Sequence, residues 1–389
     1  MLDAIRSISR VGTALAAVAA DQTRARIGHF PTRATDIDPR WLEKGLAARF
    51  PGVRIRDHQL LDDHSGTTSR ARIGLEYDCP GEADTPPETV FLKITPHAPI
   101  QRLFLATFGI GRNEVRFYRD IRPGLPVRAP DVYGICALPG DRQFVLLLED
   151  LTRTGVLLAS LGDRATLEQA EAVIDALASL HAAYWECDRF HADLAWVPSY
   201  EKRRHRDLPW ERFITGQMCE RALRRHGADF PPEFEQIART CIDRRDHLER
   251  LWAEGSRTLV HGDCHLGNLF FEDARTGFFD WQICARAPGM RDVSYFMCNS
   301  LPEKLRQQHE RALIERYLEA LRGRDVPAPD MQGAWRQHRL FALYTWISAA
   351  FTIAGGEGMQ PLEIGLAGVR RATRAAIDLE SVACAQESR

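Results

Sequence analysis

Three polar side chains in the segment Val260 to Gln282 could together carry out phosphoryl transfer. Asp263 is followed five residues later by Asn268, and Asp280 ends the second of two short apolar runs that flank a glycine-containing turn. Phosphoryl transfer requires an acceptor hydroxyl aimed at the phosphorus and a metal ion that neutralises the phosphate charge. Asp263 could accept the hydroxyl proton, while Asn268 and Asp280 offer the oxygen ligands that Mg²⁺ prefers. The segment therefore predicts a catalytic base and a magnesium site close together.

Two histidines flank Asp263, and they allow a second interpretation of the function of this segment. His265 lies where a donor group could contact the transferred phosphate, whereas His261 is expected to brace the backbone of the loop. Alternatively, His261, Asp263 and His265 are the ligands of a zinc-dependent hydrolase, since imidazole is a common donor to zinc. That alternative gives no role to the features that precede this segment in the chain. Taken singly, each residue is more often a turn or capping group than a catalyst.

The N-terminal part of the chain contains features that a nucleotide would require. Ser65, Gly66 and Thr67 begin a run of small residues, S-G-T-T-S, whose backbone N–H groups could approach phosphate oxygens. Lys93 lies within the apolar strand V-F-L-K-I, and an unpaired buried ammonium is costly, so a partner is expected. Glu114 is the candidate, which would leave Lys93 placed to hold the α- and β-phosphates. Alternatively, Lys93 points to solvent from an edge strand.

A possible adenine contact follows another apolar strand, Phe144 to Leu148. This strand ends in Glu149, Asp150 and Leu151, where the β-rich texture of the sequence gives way to helices. Backbone groups of Glu149 and Leu151 could bind the edge of the adenine ring, whereas Asp150 could simply cap a turn. The sequence thus predicts that the nucleotide base lies at a junction of two regions.

These residues must be positioned by two regions of the chain that differ in their predicted secondary structure. Up to about residue 150, short β-prone runs alternate with Gly, Pro and Asp clusters, and the helix Asn113 to Ile121 interrupts them. The predicted strands of this region are Arg70 to Tyr77, Val90 to Ile94 and Phe144 to Leu148. Long amphipathic helices follow, as in residues 167 to 186. We therefore predict an α+β fold with an N-terminal appendage at 1–35, a small β-rich nucleotide-binding lobe at 36–150 and a large helical lobe at 151–389.

The composition excludes several classes of protein. A chain of 389 residues with 44% hydrophobic and 27% charged residues is typical of a folded protein with two lobes. The formal net charge of -2 leaves no basic excess for nucleic acid. Nine cysteines without C-x-x-C pairs predict reduced thiols and a cytoplasmic location. The apolar run Leu343 to Ala354 is shorter than the roughly 20 residues that a membrane span needs, so no membrane partner is expected.

The motif H-G-D-x-H-x-x-N at 261–268, with an Asp on the next hairpin, resembles the aminoglycoside phosphotransferase and choline kinase group of the protein-kinase-like superfamily. D-W-Q at 280–282 and P-G-M-R-D-V-S-Y-F at 288–296 are most similar to the ecdysteroid-kinase-like branch, as is A-S-L-H-A-A-Y-W at 178–185. The resemblance extends from about Leu42 to Leu321. It implies a bilobal protein-kinase-like fold, ATP and Mg²⁺ as cofactors, and transfer of the γ-phosphate to a hydroxyl of a small molecule.

The resemblance also implies a role for each motif residue. These roles are catalytic base for Asp263, Mg²⁺ ligand for Asn268 and Asp280, nucleotide contact for Lys93 and Glu114, and support of the catalytic loop for Asp292. The chain departs from the wider superfamily because it contains no recognisable G-x-G-x-x-G loop. A long activation segment with A-P-E is also missing, which favours a small-molecule substrate over a protein.

Three functions remain open on the sequence: a small-molecule O-phosphotransferase, a catalytically silent nucleotide-binding protein, and the zinc hydrolase. The acceptor pocket is expected in the helical lobe. Tyr200 to Arg225 contains eight Lys or Arg against four Asp or Glu, so a carboxylate-lined pocket for a polycation is not apparent. Helical aromatic residues could instead line an apolar pocket for a bulky alcohol, or form plain core. These residues are Trp335, Tyr344, Trp346 and Phe351.

Overall fold

The computed structural model describes residues 2–65, 68–79, 85–160, 162–204, 207–273, 275–356 and 360–387. Its helices are α1 (Leu2–Ile27), α2 (Pro39–Leu46), α3 (Pro99–Phe108), α4 (Ile110–Arg116), α5 (Leu167–Ala183), α6 (Tyr200–Arg203), α7 (Leu208–His226), α8 (Glu233–Asp243), α9 (Arg245–Trp252), α10 (Met290–Ser300), α11 (Glu303–Arg322), α12 (Met331–Gly355), α13 (Leu362–Asp378) and α14 (Ser381–Gln386). Its strands are β1 (Arg54–Ser65), β2 (Ser69–Cys79), β3 (Thr89–Ile94), β4 (Val132–Ala137), β5 (Phe144–Glu149), β6 (Leu157–Leu158), β7 (Thr258–Val260), β8 (Leu269–Glu272), β9 (Arg275–Phe278) and β10 (Ala285–Ala287). A sheet-rich region is followed by a helical region, which confirms the predicted α+β fold.

Strands β1 to β5 form an antiparallel sheet in the order β1-β2-β3-β5-β4. The inner strands β3 and β5 read T-V-F-L-K-I and F-V-L-L-L-E, nearly continuous apolar runs, because both faces of the sheet are covered. Val145 and Leu147 of β5 belong to a small core beneath α2. Leu146 and Leu148, which point the other way, belong to the large core of the helical region. Alternate side chains of one strand therefore join the two regions.

The same alternation decides where Lys93 points. Lys93 pairs across strands with Leu146, and directly paired residues project from the same face of a sheet. Its side chain therefore faces the helical region, and the residue is only 4% exposed. Strand β3 is flanked by β2 and β5, so the edge-strand alternative for Lys93 is wrong.

The helical region is built around α5, α10, α11 and α12, which share one apolar core. A capping box of Thr166 and Gln169 begins α5, and the buried side of this helix includes Val173 and Leu177. Two short ladders lie against the helices. Strand β7 pairs with β10, and β8 pairs with both β6 and β9. These ladders hold the two ends of the segment in which the sequence places its chemistry.

Several elements differ from the sequence prediction, among them two strands of the large sheet and one helix. Strands β1 and β4 were not predicted, and β1 shows why: it lies at an edge of the sheet and, of its described side chains, only Ile55 is buried. A strand that buries so little carries no apolar alternation. The predicted helix Asn113 to Ile121 instead begins at Ile110 in α4 and continues as a π-helical turn at Phe117–Ile121.

The N-terminal helix α1 packs against α3 and α7, and therefore contacts both regions of the molecule. The carboxylate of its buried Asp21 accepts a hydrogen bond from Arg142 Nε at 2.7 Å. Arg142 lies in the connection between β4 and β5. Within the described residues, none of the helices combines the length and the apolar character needed to cross a membrane.

Candidate active site

The loop 261–268 joins β7 to β8, and Asp292 near the start of α10 gives it its shape. Asp292 Oδ2 accepts the backbone N–H of His261 at 2.6 Å, and Oδ1 accepts that of Gly262 at 2.9 Å. Gly262 has φ of +89°, and a Cβ there would lie 2.4 Å from a backbone carbonyl oxygen, so only glycine fits. Burial opposes ionisation of Asp292, but His181 and these N–H groups outweigh it and hold its pKa below the ordinary value. Asp292 is therefore a carboxylate that organises the loop backbone.

His261 is buried, and both of its ring nitrogens have backbone partners. Nδ1 accepts the N–H of Asp263 at 3.2 Å, so Nε2 carries the hydrogen and donates to the carbonyl oxygen of Phe279 at 3.0 Å. Burial lowers the pKa of His261, which keeps the ring neutral. Neither nitrogen is left for zinc. Across the described part of the chain, no group of three or more His, Cys, Asp or Glu residues is arranged to hold a metal ion. The zinc-hydrolase interpretation of His261, Asp263 and His265 therefore finds no support.

Asp263 and Asn268 face each other across the loop. Asn268 Nδ2 donates to the backbone oxygen of Asp263 at 2.9 Å and to its Oδ2 at 3.2 Å. This orientation leaves Asn268 Oδ1 as the amide atom that is available to a cation. Asp263 Oδ1 accepts a hydrogen bond from the Tyr295 hydroxyl at 2.7 Å, and that hydroxyl also contacts Ser348 Oγ at 2.8 Å. Both carboxylate oxygens of Asp263 are thus held in place.

Tyr295 is a residue of the site that the sequence analysis did not single out. Burial, followed by the charge of Asp263, raises the pKa of Tyr295 well above its ordinary value, so the phenol stays protonated and can donate. Asp292 and Tyr295 are three residues apart on α10 and lie on the same side of the helix. One helix therefore holds both the backbone and the carboxylate of the loop, and this i, i+3 spacing could have revealed Tyr295.

The hairpin of β8 and β9 returns the chain to Asn268 and places Asp280 beside it. The N–H of Phe279 donates to the carbonyl oxygen of Asn268 at 3.1 Å. Asp280 follows with φ of +66°, a conformation that is uncommon for residues with a side chain. Its Oδ1 lies 2.8 Å from the Nζ atom of Lys93, which comes from the sheet-rich region. The two regions of the molecule therefore meet at Asp280.

Lys93 holds two buried carboxylates with one ammonium group. Its Nζ lies 2.7 Å from Glu114 Oε1, in addition to the contact with Asp280. Burial raises the pKa of Glu114 above its ordinary value, although Lys93 opposes this. Burial also acts on Asp280, but there Lys93 and Arg70 outweigh it and lower the pKa. Of Glu114 and Asp280, Asp280 is therefore the carboxylate that is more readily ionised.

Two further side chains approach this cluster. Arg70 Nη2 lies 3.5 Å from Asp280 Oδ2, a contact that the sequence did not suggest. Its position directly after the small-residue run S-G-T-T-S was the available signal. His265 Nε2 lies 3.8 Å from Asp263 Oδ2. Arg70 and His265 therefore add positive or donor groups on either side of the carboxylates.

The predicted phosphate-binding turn lies only partly within the described residues. Ser65 is the last residue of β1 and pairs with Ser69 of β2. Gly66 and Thr67 lie outside the described residues. Thr68, the next residue, is buried. The turn therefore connects β1 to β2 and immediately precedes Arg70.

The predicted adenine contacts lie apart from the carboxylate cluster. The Glu149 carboxylate accepts hydrogen bonds from Arg128 Nη2 at 2.6 Å and from the N–H of Asp131 at 2.9 Å. Leu151 begins a 3₁₀ turn that the side chain of Asp150 caps, as the sequence suggested for Asp150. Among the described residues, neither Glu149 nor Leu151 lines the cavity to which the catalytic candidates belong.

That cavity has a volume of about 710 Å³, within the usual range for a small-molecule site. The candidates that line it are Asp263, His265, Asn268 and Asp280. Two of the four helical aromatic residues, Tyr344 and Phe351, also line it. Trp346 does not, because it is buried in the core and donates to Thr373 Oγ1 at 3.0 Å. The site therefore opens onto α12 as well as onto the loop.

Comparison with solved structures finds chains that share this fold. A putative aminoglycoside phosphotransferase from Ralstonia eutropha matches with a TM-score of 0.54 and 14% identity, over 89% of this chain and 98% of that chain. APH(2")-IIIa in complex with GDP and kanamycin matches with a TM-score of 0.50 and 10% identity, over 87% and 98%. A choline kinase from Streptococcus pneumoniae matches with a TM-score of 0.47 and 11% identity, over 87% and 98%. At these identities the likeness concerns the fold.

The family follows from the sequence itself. The model of the ecdysteroid kinase-like family matches residues 67–324, more than half of the chain. The chain belongs to the ecdysteroid kinase-like family, which confirms the resemblance carried by the motifs between 261 and 296. No curated protein sequence matches the chain. Membership of a kinase-like family supports a phosphotransferase and leaves the acceptor to be identified.

Proposed function

We propose that this protein transfers the γ-phosphoryl group of ATP to a hydroxyl of a small molecule. One observation carries the proposal: carboxylate and amide groups from two consecutive segments meet a buried ammonium that enters from the other region. These groups are Asp263, Asn268 and Asp280 on one side and Lys93 on the other. A triphosphate needs cations on one side and a hydroxyl-activating carboxylate on the other. Arg70 and Asp263 line the cavity, whereas Lys93 does not line it and contacts Asp280, which does.

Asp263 is the general base in this proposal. As the acceptor oxygen forms its bond to the γ-phosphorus, the bond from that phosphorus to the β-bridging oxygen breaks and ADP leaves. The hydroxyl proton passes to Asp263. Tyr295 holds Oδ1 at 2.7 Å and Asn268 holds Oδ2 at 3.2 Å, so the carboxylate is oriented before the substrate arrives. His265, which lines the same cavity, is placed to contact the transferred group.

The donor set fits a hard cation. Asn268 Oδ1 and the Asp280 carboxylate are oxygen ligands, which suit Mg²⁺ and not a soft or nitrogen-preferring metal. Mg²⁺ bound by them would neutralise charge on the β- and γ-phosphates. Lys93, which Glu114 holds at 2.7 Å, would contact the α- and β-phosphates. Backbone N–H groups of Ser65, Gly66 and Thr67 would approach the phosphate oxygens, and backbone groups of Glu149 and Leu151 would contact adenine.

The state of the cysteines supports a reducing compartment, and we propose the cytoplasm. All nine cysteines are free, and six of them are buried. Free thiols persist where thioredoxin and glutathione keep them reduced. The acceptor in this proposal is a small-molecule alcohol, since the cavity is lined mostly by side chains of the helical region and has the size of a small-ligand site.

The test is ATP-dependent phosphorylation with a matched pair of variants. Purified protein is incubated with MgATP and a panel of hydroxylated metabolites, while ADP release is followed and phosphorylated products are identified by mass spectrometry. Asp263→Asn should lower turnover by about 10²- to 10⁴-fold, because it removes the general base. The control is Asp273→Asn, which alters an exposed carboxylate in the turn after β8.

The two variants give distinct outcomes. Loss of turnover in Asp263→Asn, with ATP binding preserved and Asp273→Asn active, supports the assignment. A protein that binds MgATP but phosphorylates nothing in the panel or in cell extract would instead be the silent nucleotide-binding alternative. Near-wild-type kcat in Asp263→Asn would remove Asp263 as the base.

A further inference from the structure

The cavity is more basic than its catalytic residues require. Among the described residues that line it, arginines outnumber carboxylates by seven to four. Most of these arginines have a carboxylate partner. The pairs are Arg70 with Asp280, Arg203 with Glu211, Arg245 with Glu249, Arg257 with Glu201, and Arg286 with Glu186. Arg291 and Arg371 form no ion pair with any described carboxylate. Although burial opposes it, Tyr344 and the charges of Asp292 and Glu249 still raise the pKa of Arg291, which leaves Arg371 as the guanidinium without a compensating carboxylate among the described residues.

Arg371 on α13 is the more exceptional of the two. Its Nε and Nη1 atoms are buried and have no hydrogen-bond partner among the described residues. Burial, followed by repulsion from Arg164, lowers the pKa of Arg371 to about 10, so the guanidinium is still charged at neutral pH. Buried donors without partners are costly, and more so on a charged group. Nothing described in the protein itself compensates this cost.

Space for a ligand lies next to Arg371. Ile364, Gly368 and Arg371 follow one another at helical spacing on α13, and all three line the cavity. A Cβ added to Gly368 would have no atom within 4 Å, so the cavity is open at that position. A group bound next to Gly368 could therefore reach the guanidinium of Arg371, because Gly368 has no side chain to block it.

Arg291 lies closer to the catalytic candidates. It is four residues before Tyr295 on α10, hence on the same side of the helix, and the Tyr295 hydroxyl contacts Asp263. Its guanidinium lies over the ring of Tyr344, 4.4 Å from the centroid, and donates to the hydroxyl of that residue. Arg291, Tyr344, Gly368 and Arg371 are called the helical wall below.

We propose that the acceptor molecule carries an oxyanionic group, a carboxylate or a phosphate, and that Arg371 binds this group. The inference rests on the proposed phosphotransferase function and names the class of its substrate: a hydroxylated acid, in contrast to an amine-bearing acceptor. A guanidinium suits the role because its planar fork donates two parallel hydrogen bonds to a carboxylate or phosphate. Nε and Nη1 of Arg371 lie on different edges of its guanidinium, each of which also includes Nη2, so an oxyanion at either edge would meet one of these buried, unpartnered donors.

A matched set of acceptors tests the proposal. Each acidic acceptor is paired with a neutral analogue: a hydroxy acid with its methyl ester, and a sugar phosphate with the free sugar. These two arms distinguish a carboxylate from a phosphate. Arg371→Gln should lower the ratio of kcat/KM for the acidic over the neutral member by about 10- to 100-fold, the loss expected for charged hydrogen bonds.

The control is Arg257→Gln, at an arginine that lines the same cavity but is already paired with Glu201. It should keep the wild-type preference. A wild-type enzyme that prefers the neutral members, or an unchanged preference in Arg371→Gln, overturns the proposal. If Arg371→Gln raised the KM for ATP by the same factor by which it lowered kcat/KM for the acidic acceptor, Arg371 would bind the nucleotide. That result would also overturn the proposal.

A binding measurement separates failure of this inference from failure of the proposed function. The same acids are added to wild-type protein and to Arg371→Gln in the presence of MgADP, and thermal stability is followed. Stabilisation of wild type alone supports the oxyanion site, whether or not turnover is found. Absence of stabilisation, with neutral acceptors turned over, overturns the inference but leaves the kinase function intact. Absence of any transfer with every acceptor overturns the proposed function.

The Tm of the ligand-free protein distinguishes a ligand-binding arginine from one that stabilises the fold. Arg371→Met removes an uncompensated buried charge and keeps most of the side-chain volume, so Tm should rise. An arginine that served the fold would cause Tm to fall when it is replaced. Arg371→Lys, which keeps the charge but loses the fork, should recover only part of the preference for acids.

Discussion

The loop 261–268 and the helical wall face the same cavity, but they differ in how far the protein satisfies its own polar groups. In the loop, Asp292 accepts two backbone N–H groups, and both ring nitrogens of His261 have partners. Asp263 is held through both carboxylate oxygens. On the wall, Arg371 has two buried donors without a described partner. The hydrogen bonds that fix Asp292, His261 and Asp263 therefore come from the protein itself. The buried donors of Arg371 have no such partner, and within the loop the same holds for Nδ1 of His265.

This difference indicates that the loop carries out the reaction and that the helical wall selects the substrate. A catalytic group works best when the fold fixes its position in advance, so its hydrogen bonds belong to the protein. A group that recognises a substrate must keep donors for that substrate, at a cost in stability. Complete networks therefore indicate where the reaction is organised. Incomplete ones indicate what kind of molecule the cavity receives.

The largest effect on stability is expected at the support of the loop. Asp292→Asn is nearly isosteric, but its Nδ2 would face the backbone N–H that Oδ2 accepts at 2.6 Å, a donor against a donor. We expect the free energy of unfolding to fall by about 3 kcal/mol, as for a buried charged group whose hydrogen bonds are broken. Urea denaturation measures it. The contrast with Arg371→Met, expected to stabilise, is the sharpest test of the comparison.

A surface carboxylate supplies the control for Asp292. Asp175 pairs with Arg316 at 2.7 Å, and both side chains are more than two-fifths exposed. Asp175→Asn should change the free energy of unfolding by less than about 1 kcal/mol. If Asp292→Asn were as mild as this control, the loop would not depend on its buried carboxylate, and the two regions would not differ in the way described.

A smaller effect, on catalysis, is expected at Tyr295. Tyr295→Phe removes the hydrogen bond to Asp263 Oδ1 and leaves the ring in place. We expect kcat to fall about tenfold with the affinity for ATP unchanged, since a single charged hydrogen bond is lost. Ser348→Ala, which acts on Asp263 only through Tyr295, should have a weaker effect in the same direction. Equal losses in ATP binding and kcat would show general damage and not a positioning role.

Much of the loop could be predicted from the sequence because its residues are close together in the chain. Asp263 and Asn268 are five residues apart, and a hairpin of short apolar runs returns to Asp280. Local hydrogen bonds and turn geometry therefore place all three. The contact between Lys93 and Glu114 spans 21 residues, and it could be anticipated because a buried ammonium requires a partner.

The helical wall could not be predicted in this way. Arg291 and Arg371 are 80 positions apart in the sequence, and each resembles a solvated arginine on an amphipathic helix. Only the packing of α10, α12 and α13 shows that they share a cavity and that no described carboxylate pairs with either of them. The count of basic residues in Tyr200 to Arg225 pointed away from a cationic acceptor. It did not identify the unpaired arginines, because Arg291 and Arg371 lie outside that segment.

The smallest expected effect is on how the free energy of unfolding depends on pH. We expect the loop to contribute to this dependence and the helical wall not to contribute. Burial lowers the pKa of His261 below its ordinary 6.5. As the pH falls below 6.5, the unfolded chain binds a proton that the folded loop does not. The free energy of unfolding should therefore decrease, by up to about 1.4 kcal/mol per pH unit for this group. His338, also buried with a lowered pKa, adds a slope of the same sign. Arg371 adds none, because its pKa of about 10 lies far above this range.

Denaturation of wild type and His261→Gln between about pH 8 and about pH 5 isolates the contribution of the loop. The variant has no titrating ring at this position, so its stability should decline less steeply with falling pH, whatever its absolute stability. His338→Gln, examined in the same way, removes the other slope. An identical slope in wild type and His261→Gln would mean that the folded loop accepts the proton. Nδ1 could then not accept the N–H of Asp263, and the protein itself would no longer supply every hydrogen bond that fixes His261.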